Sequence, residues 1–510
     1  MGLWIFLVAL AAGLSYIGVH VASDLDRATI HGIWPYLLLG LALTIALGFE
    51  FVNGFHDTAN AVATVIYTNS LSPHSAVVWS GLCNLAGVLL SSGTVAFAVV
   101  ALLPIDMILK VSSGTGFAMV FALLIAAILW NLGTWWFGLP ASSSHTMVGS
   151  IIGVGLASQL LNAHGAASGL DWKQVIKVLE ALFFSPLLGF FLAAFLLLFA
   201  RRLVRYPELY KAPKGNETPP WPIRLLMIGT CTGVSYFHGS NDGQKGMGLI
   251  MLILIGTVPT AYALNHSASQ AEIQSFLVAS AQAGQILDRH VPQNAPDPDT
   301  RAEITRYIET RQLQPATLPA LRQLVNELNR EVTSYQTLRS IPGPQQMHLR
   351  NDMYLAGRAL QILDQSHNPA FTAEEQSALK NCQNRLDKAT KFIPDWVKVA
   401  VALALGLGTM VGWKRVVVTV GERIGKEDMT YAQGAAAGLV TMATIFAADA
   451  WSLPVSTTHI LSSGVAGTMA ANGSGLRLAT VRNIAAGWIF TLPAAALLSG
   501  LLYLLFHAIA

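Results

Sequence analysis

Residues 138–145 read GLPASSSH, and residues 452–459 read SLPVSTTH. The two stretches share Leu, Pro, one Ser and His at the same offsets, with hydroxyl side chains between proline and histidine. A second matching pair precedes them, because 54–60 reads GFHDTAN and 239–245 reads GSNDGQK. Both pairs occur in the same order, so the chain consists of two related halves.

The composition is that of a membrane protein. Of the 510 residues, 53% are hydrophobic and 12% are charged, whereas soluble domains carry about 25% charged residues. Apolar runs of roughly 18 residues or more recur along the chain, and each can cross a hydrocarbon core of ~30 Å. The sequence therefore predicts an all-α, polytopic membrane protein and excludes a soluble globular one.

Each half contains five apolar segments around its motifs. The first series is 35–69, 76–102, 116–137, 139–163 and 178–200, and the second is 225–263, 395–413, 431–450, 453–470 and 484–508. Five is odd, so the second series starts on the opposite side of the membrane if every segment crosses. We therefore expect two inverted repeats, a common plan of secondary transporters. The first repeat is assigned to 35–200, and the second to 225–265 together with 395–510.

Basic residues set the orientation. The linker 201–224 contains Arg201, Arg202 and Arg205, and basic loops remain in the cytoplasm. Counting forward places the basic loops 414–430 and 471–483 inside as well, in agreement with that rule. The same count places the polar stretch 266–394 outside.

The stretch 266–394 is predicted to be a helical insert. Apolar residues recur at helical spacing in 303–311, 318–339 and 352–366, and prolines separate these pieces. The insert has no catalytic constellation, so we expect a structural or regulatory role.

At the N-terminal end, Met1–His20 is apolar without a basic leader or a cleavage site, so 1–34 is interpreted as a membrane helix and loop rather than a signal peptide.

The first motif of each half is predicted to interrupt a helix. At ~1.5 Å per residue the segment 35–69 would reach about 50 Å, yet 53–57 is polar and contains glycine. A break there, and a matching break in 238–243, would place Asp57 and Asp242 near the middle of the bilayer. Unwound backbone at that depth is tolerated where it is buried or lines a cavity.

A carboxylate at that depth costs at least ~3 kcal/mol and usually faces a partner, an ion or a proton. Asp57 and Asp242 could form a paired structural contact. Their recurrence in both halves favours a functional role. Two facing carboxylates repel an anion unless a cation or proton lies between them, so both residues are candidate ligands of a transported metal cation.

Other ionisable residues near these motifs have open roles. Lys245 could contact an anion as a point charge, or neutralise Asp242 three residues before it. His56 could bind an anion, carry a proton, or bond to a neighbour. Glu50 could bind a cation or relay a proton.

The proline motifs predict two anion-binding helix ends. Pro140 and Pro454 suit the first turn of a new helix, and hydroxyl side chains are natural N-caps. Free N–H groups at such an end bind phosphate or carboxylate, so two copies could clamp a tetrahedral anion. Ordinary capping is the alternative. The hydroxyl residues are Ser142, Ser143, Ser144, Ser456, Thr457 and Thr458. The histidines that follow, His145 and His459, could gate or simply pack.

The sequence offers no signal for other chemistry. It contains no Walker A, HExxH or GxSxG pattern in a credible context, and its three cysteines form no CxxC pair. Basic residues flank membrane segments and do not form a nucleic-acid patch. We expect no enzyme, no catalytic residue, no cofactor and no nucleic-acid partner.

These motifs resemble the inorganic phosphate transporter (Pit) family of secondary carriers. The resemblance rests on 54–68, 130–146, 238–256 and 453–469, with support from 408–426 and 429–434. It covers both halves and is closest to the bacterial low-affinity, proton-coupled transporters. It implies one phosphate site formed by both repeats, made of Asp57, Asn60, Asn241, Asp242, Ser142–Ser144 and Ser456–Thr458. His56 and Lys245 stand where the family usually has Asn, which favours protons or metal–phosphate over a sodium site.

The expected function is therefore proton-driven symport of inorganic phosphate, as a divalent metal–hydrogenphosphate complex such as that of Mg²⁺, across a bacterial inner membrane. The insert would then be periplasmic, and a homodimer is plausible for such folds. Sodium-coupled phosphate or sulfate symport remains an alternative, as does an anion channel or receptor. Two duplicated clamps favour a carrier, because a channel needs none.

Overall fold

The computed structural model describes residues 2–25, 34–57, 59–109, 111, 113–161, 170–215, 217–291, 299–335, 337–366 and 371–509. Within these ranges the protein is helical, and a single isolated bridge between Gly425 and Leu476 is the extent of β-structure. The predicted all-α class is confirmed.

The N-terminal helix and the first half contain nine α-helices. They are α1 Gly2–Leu25, α2 Trp34–Asp57, α3 Ala59–Tyr67, α4 Pro73–Leu89, α5 Thr94–Val100, α6 Ile105–Leu109, α7 Gly114–Trp136, α8 Ser143–Leu161 and α9 Trp172–Leu203.

The remainder of the described chain contains twelve. They are α10 Trp221–Thr257, α11 Pro259–Tyr262, α12 Gln270–His290, α13 Thr300–Thr310, α14 Thr317–Ser334, α15 Gly343–Ser366, α16 Ala373–Thr390, α17 Asp395–Thr409, α18 Lys414–Val418, α19 Tyr431–Ala450, α20 Thr457–Asn472 and α21 Leu478–Ile509. Short 3₁₀ turns lie at Pro207–Tyr210 and Leu338–Ser340, and a π turn at Thr419–Arg423.

Six helical segments in the described ranges are long and apolar enough to cross a membrane, or up to eight if two bent pairs each count as one span. One pair is α4 with α5, bent by 78°, and the other is α16 with α17, bent by 70°. A segment in lipid must satisfy its own backbone hydrogen bonds, and an α-helix does so. The number and length of these apolar helices therefore indicate a polytopic membrane protein.

Matched helices of the two halves pack reciprocally. Helix α2 packs against α17, as α10 packs against α4, and α8 packs against α21, as α9 packs against α20. Neither half thus forms a separate bundle, and residues of both halves meet in the centre.

The two proline motifs follow the same tight turn. Gly138 has φ 66° and Ser452 has φ 55°, both in the left-handed region. In each turn the N–H of the next residue bonds back to the preceding helix, from Leu139 to Thr134 O at 2.9 Å and from Leu453 to Ala448 O at 2.8 Å. The turns reverse the chain so that α8 and α20 start inside the protein.

The predicted interruption of the second motif is wrong. Helix α10 runs unbroken through 238–243. In the first copy 53–57 is helical too, α2 ends at Asp57 and α3 begins at Ala59, while Thr58 lies outside the described residues. Glycine weakens a helix by about 1 kcal/mol, and close packing against neighbouring helices outweighs that cost here.

Helices α12–α16 form a bundle within the predicted insert. Helix α12 packs on α14 and α16, and α15 packs on α16. The apolar residues of this bundle belong to one buried cluster, which also includes residues of the membrane helices. At the junction Asp171, the N-cap of α9, accepts hydrogen bonds from Arg311 at 2.6 Å and from Arg358 at 3.1 Å.

Candidate functional site

Helices α8 and α20 begin with matching caps. The Ser142 hydroxyl accepts from the His145 N–H at 3.2 Å, and the Ser456 hydroxyl accepts from the His459 N–H at 3.1 Å. Both serines are 1% exposed. The capping role is therefore present in both copies, and the next hydroxyls remain available to other partners.

Asp57 is where the two helix ends meet. Its Oδ2 accepts from the Ser143 hydroxyl of α8 at 2.7 Å, and its Oδ1 accepts from the Thr458 hydroxyl of α20 at 2.7 Å. His56 Nδ1 lies 3.1 Å from Oδ1, and its Nε2 lies 3.0 Å from the Thr134 hydroxyl. One carboxylate of the first half thus connects both hairpins.

Asp242 and Lys245 form an ion pair at the same centre. Lys245 Nζ donates to Asp242 Oδ1 at 2.7 Å and to the Ser144 hydroxyl at 2.5 Å. Ser144 in turn donates to Val455 O at 2.7 Å. The ion pair anticipated for Lys245 is present, and the same ammonium also contacts the hydroxyl tip of α8.

His238 was not assigned a role from the sequence, and it lies between the two carboxylates. Its Nε2 is 3.6 Å from Asp242 Oδ2 and 4.0 Å from Asp57 Oδ2, and it makes no hydrogen bond to the described residues. Its Nδ1 is 2.9 Å from Asn84 Oδ1. An amide oxygen only accepts, so Nδ1 donates its proton to Asn84, and Nε2 is turned toward the two carboxylates.

Close backbone contact between α4 and α10 makes this arrangement possible. A Cβ added to Gly239 would lie 2.2 Å from Asn84 O, and one added to Gly87 would lie 1.9 Å from Tyr236 O. Neither position has room for a side chain. The two glycines therefore bring Asn84 within reach of His238.

The other predicted substrate residues have different contacts. Asn241 donates to Leu453 O at 3.1 Å and accepts from the Val455 N–H at 3.4 Å, which fastens the second hairpin. Thr457 Oγ1 is buried and makes no hydrogen bond to the described residues. Asn60 lies in α3, and its side chain is outside the described part of the chain.

The candidate coupling residues lie on two sides of this centre. Glu50 is fully buried, and its carboxylate packs so tightly on α10 that a Cβ at Gly246 would be 2.1 Å from Oε1. His145 and His459 lie 4.4 Å apart between ring centroids with their rings tilted by 35°, and His459 stacks on Trp488 at 4.1 Å. Glu50 thus lies beside the Asp242–Lys245 ion pair, whereas His145 and His459 pack against each other in the first turns of α8 and α20.

The centre is suited to holding a cation and an anion together. One ligand atom each from Asp57, His238 and Asp242 lie within 4.8 Å of one another. The two carboxylates suit divalent ions such as Mg²⁺ or Mn²⁺, and the imidazole is a ligand that suits Zn²⁺. Hydroxyls, an ammonium and two helix N-termini beside them are donors suited to an oxyanion.

The model of the phosphate transporter family matches residues 53–499. The chain belongs to the phosphate transporter family. The match includes every predicted site residue except Glu50.

Curated relatives in this family are similar along nearly their whole length. The chain is 43% identical over 492 residues to the low-affinity inorganic phosphate transporter PitB of Escherichia coli strain K12, covering 92% of this chain and 97% of that protein. It is 41% identical over 504 residues to PitA of the same strain, covering 95% and 98%. A probable low-affinity inorganic phosphate transporter of Bacillus subtilis is 28% identical, covering 93% and 98%.

A solved structure titled as the sodium-dependent phosphate transporter has a similar fold. It is 17% identical, with a TM-score of 0.50, and the match covers 93% of this chain and all of that one. At this identity the likeness concerns the fold alone.

Proposed function

We propose that this transporter carries inorganic phosphate by symport, taking it as a divalent metal–hydrogenphosphate complex and using the proton gradient. The observation that carries the proposal is the convergence of Asp57, His238 and Asp242. Relatives named as low-affinity inorganic phosphate transporters support the choice of anion.

Charge explains why metal and phosphate should travel together. Asp57 and Asp242 repel a bare phosphate dianion, and Lys245 offsets a single charge. A divalent cation held by the carboxylates and His238 removes that repulsion, and a metal–hydrogenphosphate complex is neutral overall. The Ser143, Ser144 and Thr458 hydroxyls could then exchange their present contacts for phosphate oxygens.

Glu50 is the proposed proton carrier. It is buried beside α10, and neither of its carboxylate oxygens makes a hydrogen bond to the described residues. A carboxylate without a partner is costly in such surroundings, so a proton is the simplest counter-charge. Alternating access would expose Glu50 and the central site to the two sides of a bacterial inner membrane in turn.

The test is uptake of radiolabelled phosphate into proteoliposomes with an imposed pH gradient, with and without Mg²⁺. Wild type, Asp242→Asn and the control Asp449→Asn are compared, since Asp449 bonds to Ser240 and Gln244 outside the cation centre. We expect uptake that requires the proton gradient, rises with Mg²⁺, fails in Asp242→Asn and persists in the control.

Other outcomes separate the alternatives. A requirement for sodium would overturn proton coupling and leave the substrate unchanged. Competition by sulfate as strong as that by unlabelled phosphate would overturn phosphate selectivity. Anion currents without coupled uptake would establish a channel and contradict the proposal.

A further inference from the structure

A large cavity lies between part of the insert and the membrane helices. It has a volume of about 710 Å³, and its walls are formed by α15 and α16 of the insert, by Arg311 after α13, and by α5, α9 and α10. Gly248, three residues after Lys245, lines it, as does Ser452 at the turn that precedes Ser456. The cavity therefore leads from the insert toward the elements that carry the central site.

The lining of this cavity is strongly basic. Seven of its lining side chains are lysine or arginine, among them Arg350, Arg358, Arg385 and Lys388, and within the described chain Asp387 is its one carboxylate. Concave surfaces of one charge sign focus the electrostatic field and concentrate ions of the opposite sign. The cavity is thus suited to anions.

Neighbouring carboxylates compensate part of this charge. Asp171 pairs with Arg311 and Arg358, and Asp387 pairs with Lys391 at 2.7 Å. Two carboxylates therefore neutralise part of the charge of three lining cations. The other four lining cations form no ion pair with the described residues; they are Lys177, Arg350, Arg385 and Lys388.

Arg350 is the most informative of these side chains. It is 3% exposed, its Nη1 donates to Asn351 Oδ1 at 3.1 Å, and its guanidinium lies 5.1 Å from the Tyr354 ring centroid. Its Nε makes no hydrogen bond to the described residues. Burial lowers the pKa of Arg350 from its usual range, and arginine nevertheless stays charged in proteins. A buried cation without a counter-ion is costly, and an anion in the cavity would remove that cost.

We propose that this basic cavity is a second anion site, which binds inorganic phosphate before it reaches the central site. Arginine forks match the oxygens of a tetrahedral oxyanion. Gln361, Gln365 and Asn381 add amide donors to the lining, and the volume accommodates a hydrated ion. Binding of the anion stands independently of transport, whereas its role in loading the carrier rests on the proposed function.

The binding test uses the full chain in nanodiscs of zwitterionic phosphatidylcholine, titrated with radiolabelled phosphate at low ionic strength in the presence of a chelator. Arg350→Gln is compared with Arg322→Gln, an insert arginine that pairs with Asp288 and does not line the cavity. Arg385→Gln is a second cavity variant, chosen because Arg385 forms no ion pair within the part of the chain that the structure describes. We expect about tenfold weaker phosphate binding in both cavity variants and wild-type binding in the control. Binding curves of the two cavity variants that coincide with wild type would overturn the site.

Two further arms separate the sources of phosphate chemistry. In nanodiscs containing phosphatidylglycerol, loss of wild-type phosphate binding to the level of Arg350→Gln would show that a lipid headgroup takes the cavity, against our proposal. In proteoliposomes we expect Arg350→Gln to raise the KM for uptake about tenfold with an unchanged maximal rate. If wild type shows no uptake at all, the proposed function fails, and the titrations still decide the cavity.

Discussion

His238 and Asn84 show how one hydrogen bond can prepare a ligand. The Asn84 amide oxygen holds the proton of His238 on Nδ1, so Nε2 faces Asp57 and Asp242. Partners that fix the tautomer of a metal-binding histidine typically matter about 10–100-fold for metal affinity. Asn84 is therefore expected to act through His238 and not by contact with the cargo.

The Asn84→Ala variant tests this arrangement. We expect the Mg²⁺ concentration for half-maximal phosphate uptake to rise about 10–100-fold, with the pH dependence of uptake unchanged. Asn131→Ala is the matched control, because Asn131 is also buried and accepts from Thr146 at 2.9 Å. An equal shift in both variants would indicate general loosening of the bundle and contradict the positioning role.

The carboxylate of Asp57 allows a second test at the residue scale. Ser143 and Thr458 each donate one hydrogen bond to it. A hydrogen bond to a charged group contributes about 1.5–3 kcal/mol. Ser143→Ala and Thr458→Ala should each lower uptake at least tenfold, and the double variant should lose less than the product of the two if they act on one carboxylate. Fully multiplicative losses would show that the hydroxyls act independently.

The two hairpin turns carry unequal backbone strain. Gly138 and Ser452 occupy equivalent positions with positive φ, and such a conformation costs a residue with a Cβ roughly 1–2 kcal/mol. The second turn bears this cost, whereas the first avoids it with glycine.

Ser452→Gly should therefore stabilise the protein by about 1 kcal/mol, measured as a higher Tm of the purified protein in detergent. Gly138→Ser is the reciprocal control and should lower Tm, because its Cβ would also lie 3.2 Å from Arg415 O. Equal Tm values for wild type and both variants would show that the turns do not limit stability.

Helix α13 of the insert contains a pH-sensitive group. Burial, with a smaller contribution from Asp106, raises the pKa of Glu309 to about 7, above the ordinary value of about 4.3. Folding therefore disfavours its ionised form. The stability that the protonated carboxyl contributes is complete below about pH 4.3 and is lost as the pH rises through about 7.

Glu309→Gln keeps a neutral side chain at every pH. We expect its Tm to equal that of wild type near pH 4.5 and to exceed it increasingly toward pH 8. Glu374→Gln serves as the control, because it removes an exposed carboxylate by the same substitution, and we expect its Tm difference from wild type not to follow that of Glu309→Gln. A constant Tm difference across the range would exclude titration of Glu309 as the cause.

At the scale of the whole molecule, helices of the first and second halves of the chain pack on each other, and the insert shares a buried apolar cluster with them. If the two halves are inverted, as the sequence predicts, and the basic linker 201–224 lies inside, the insert lies outside the cell membrane. The proposed order of events, from basic cavity to central site, requires that orientation for uptake.

Single cysteines at exposed positions test the orientation. Glu374→Cys in the insert and Lys214→Cys in the linker are both exposed positions, whereas the three native cysteines are buried. In spheroplasts we expect a membrane-impermeant maleimide to label Glu374→Cys at once and Lys214→Cys after permeabilisation. The reverse pattern would overturn the topology.

The sequence by itself determined the helical membrane class, and its repeated motifs predict the two related halves and the candidate site residues, because apolar length and repeated motifs are properties of contiguous residues. It misjudged 238–243, since local glycine and polar residues indicated a break while packing on α4 keeps α10 helical. With the helix continuous, His238 and Asp242 share a face at a spacing of four residues, a signal hidden by the expected break. Only the tertiary structure decided that Ser143 and Thr458, which lie 86 and 401 residues from Asp57, meet on that carboxylate. It alone brought the arginines of α15 and α16 and Arg311, which follows α13, to one cavity, because contacts between distant segments depend on how helices pack and not on local sequence.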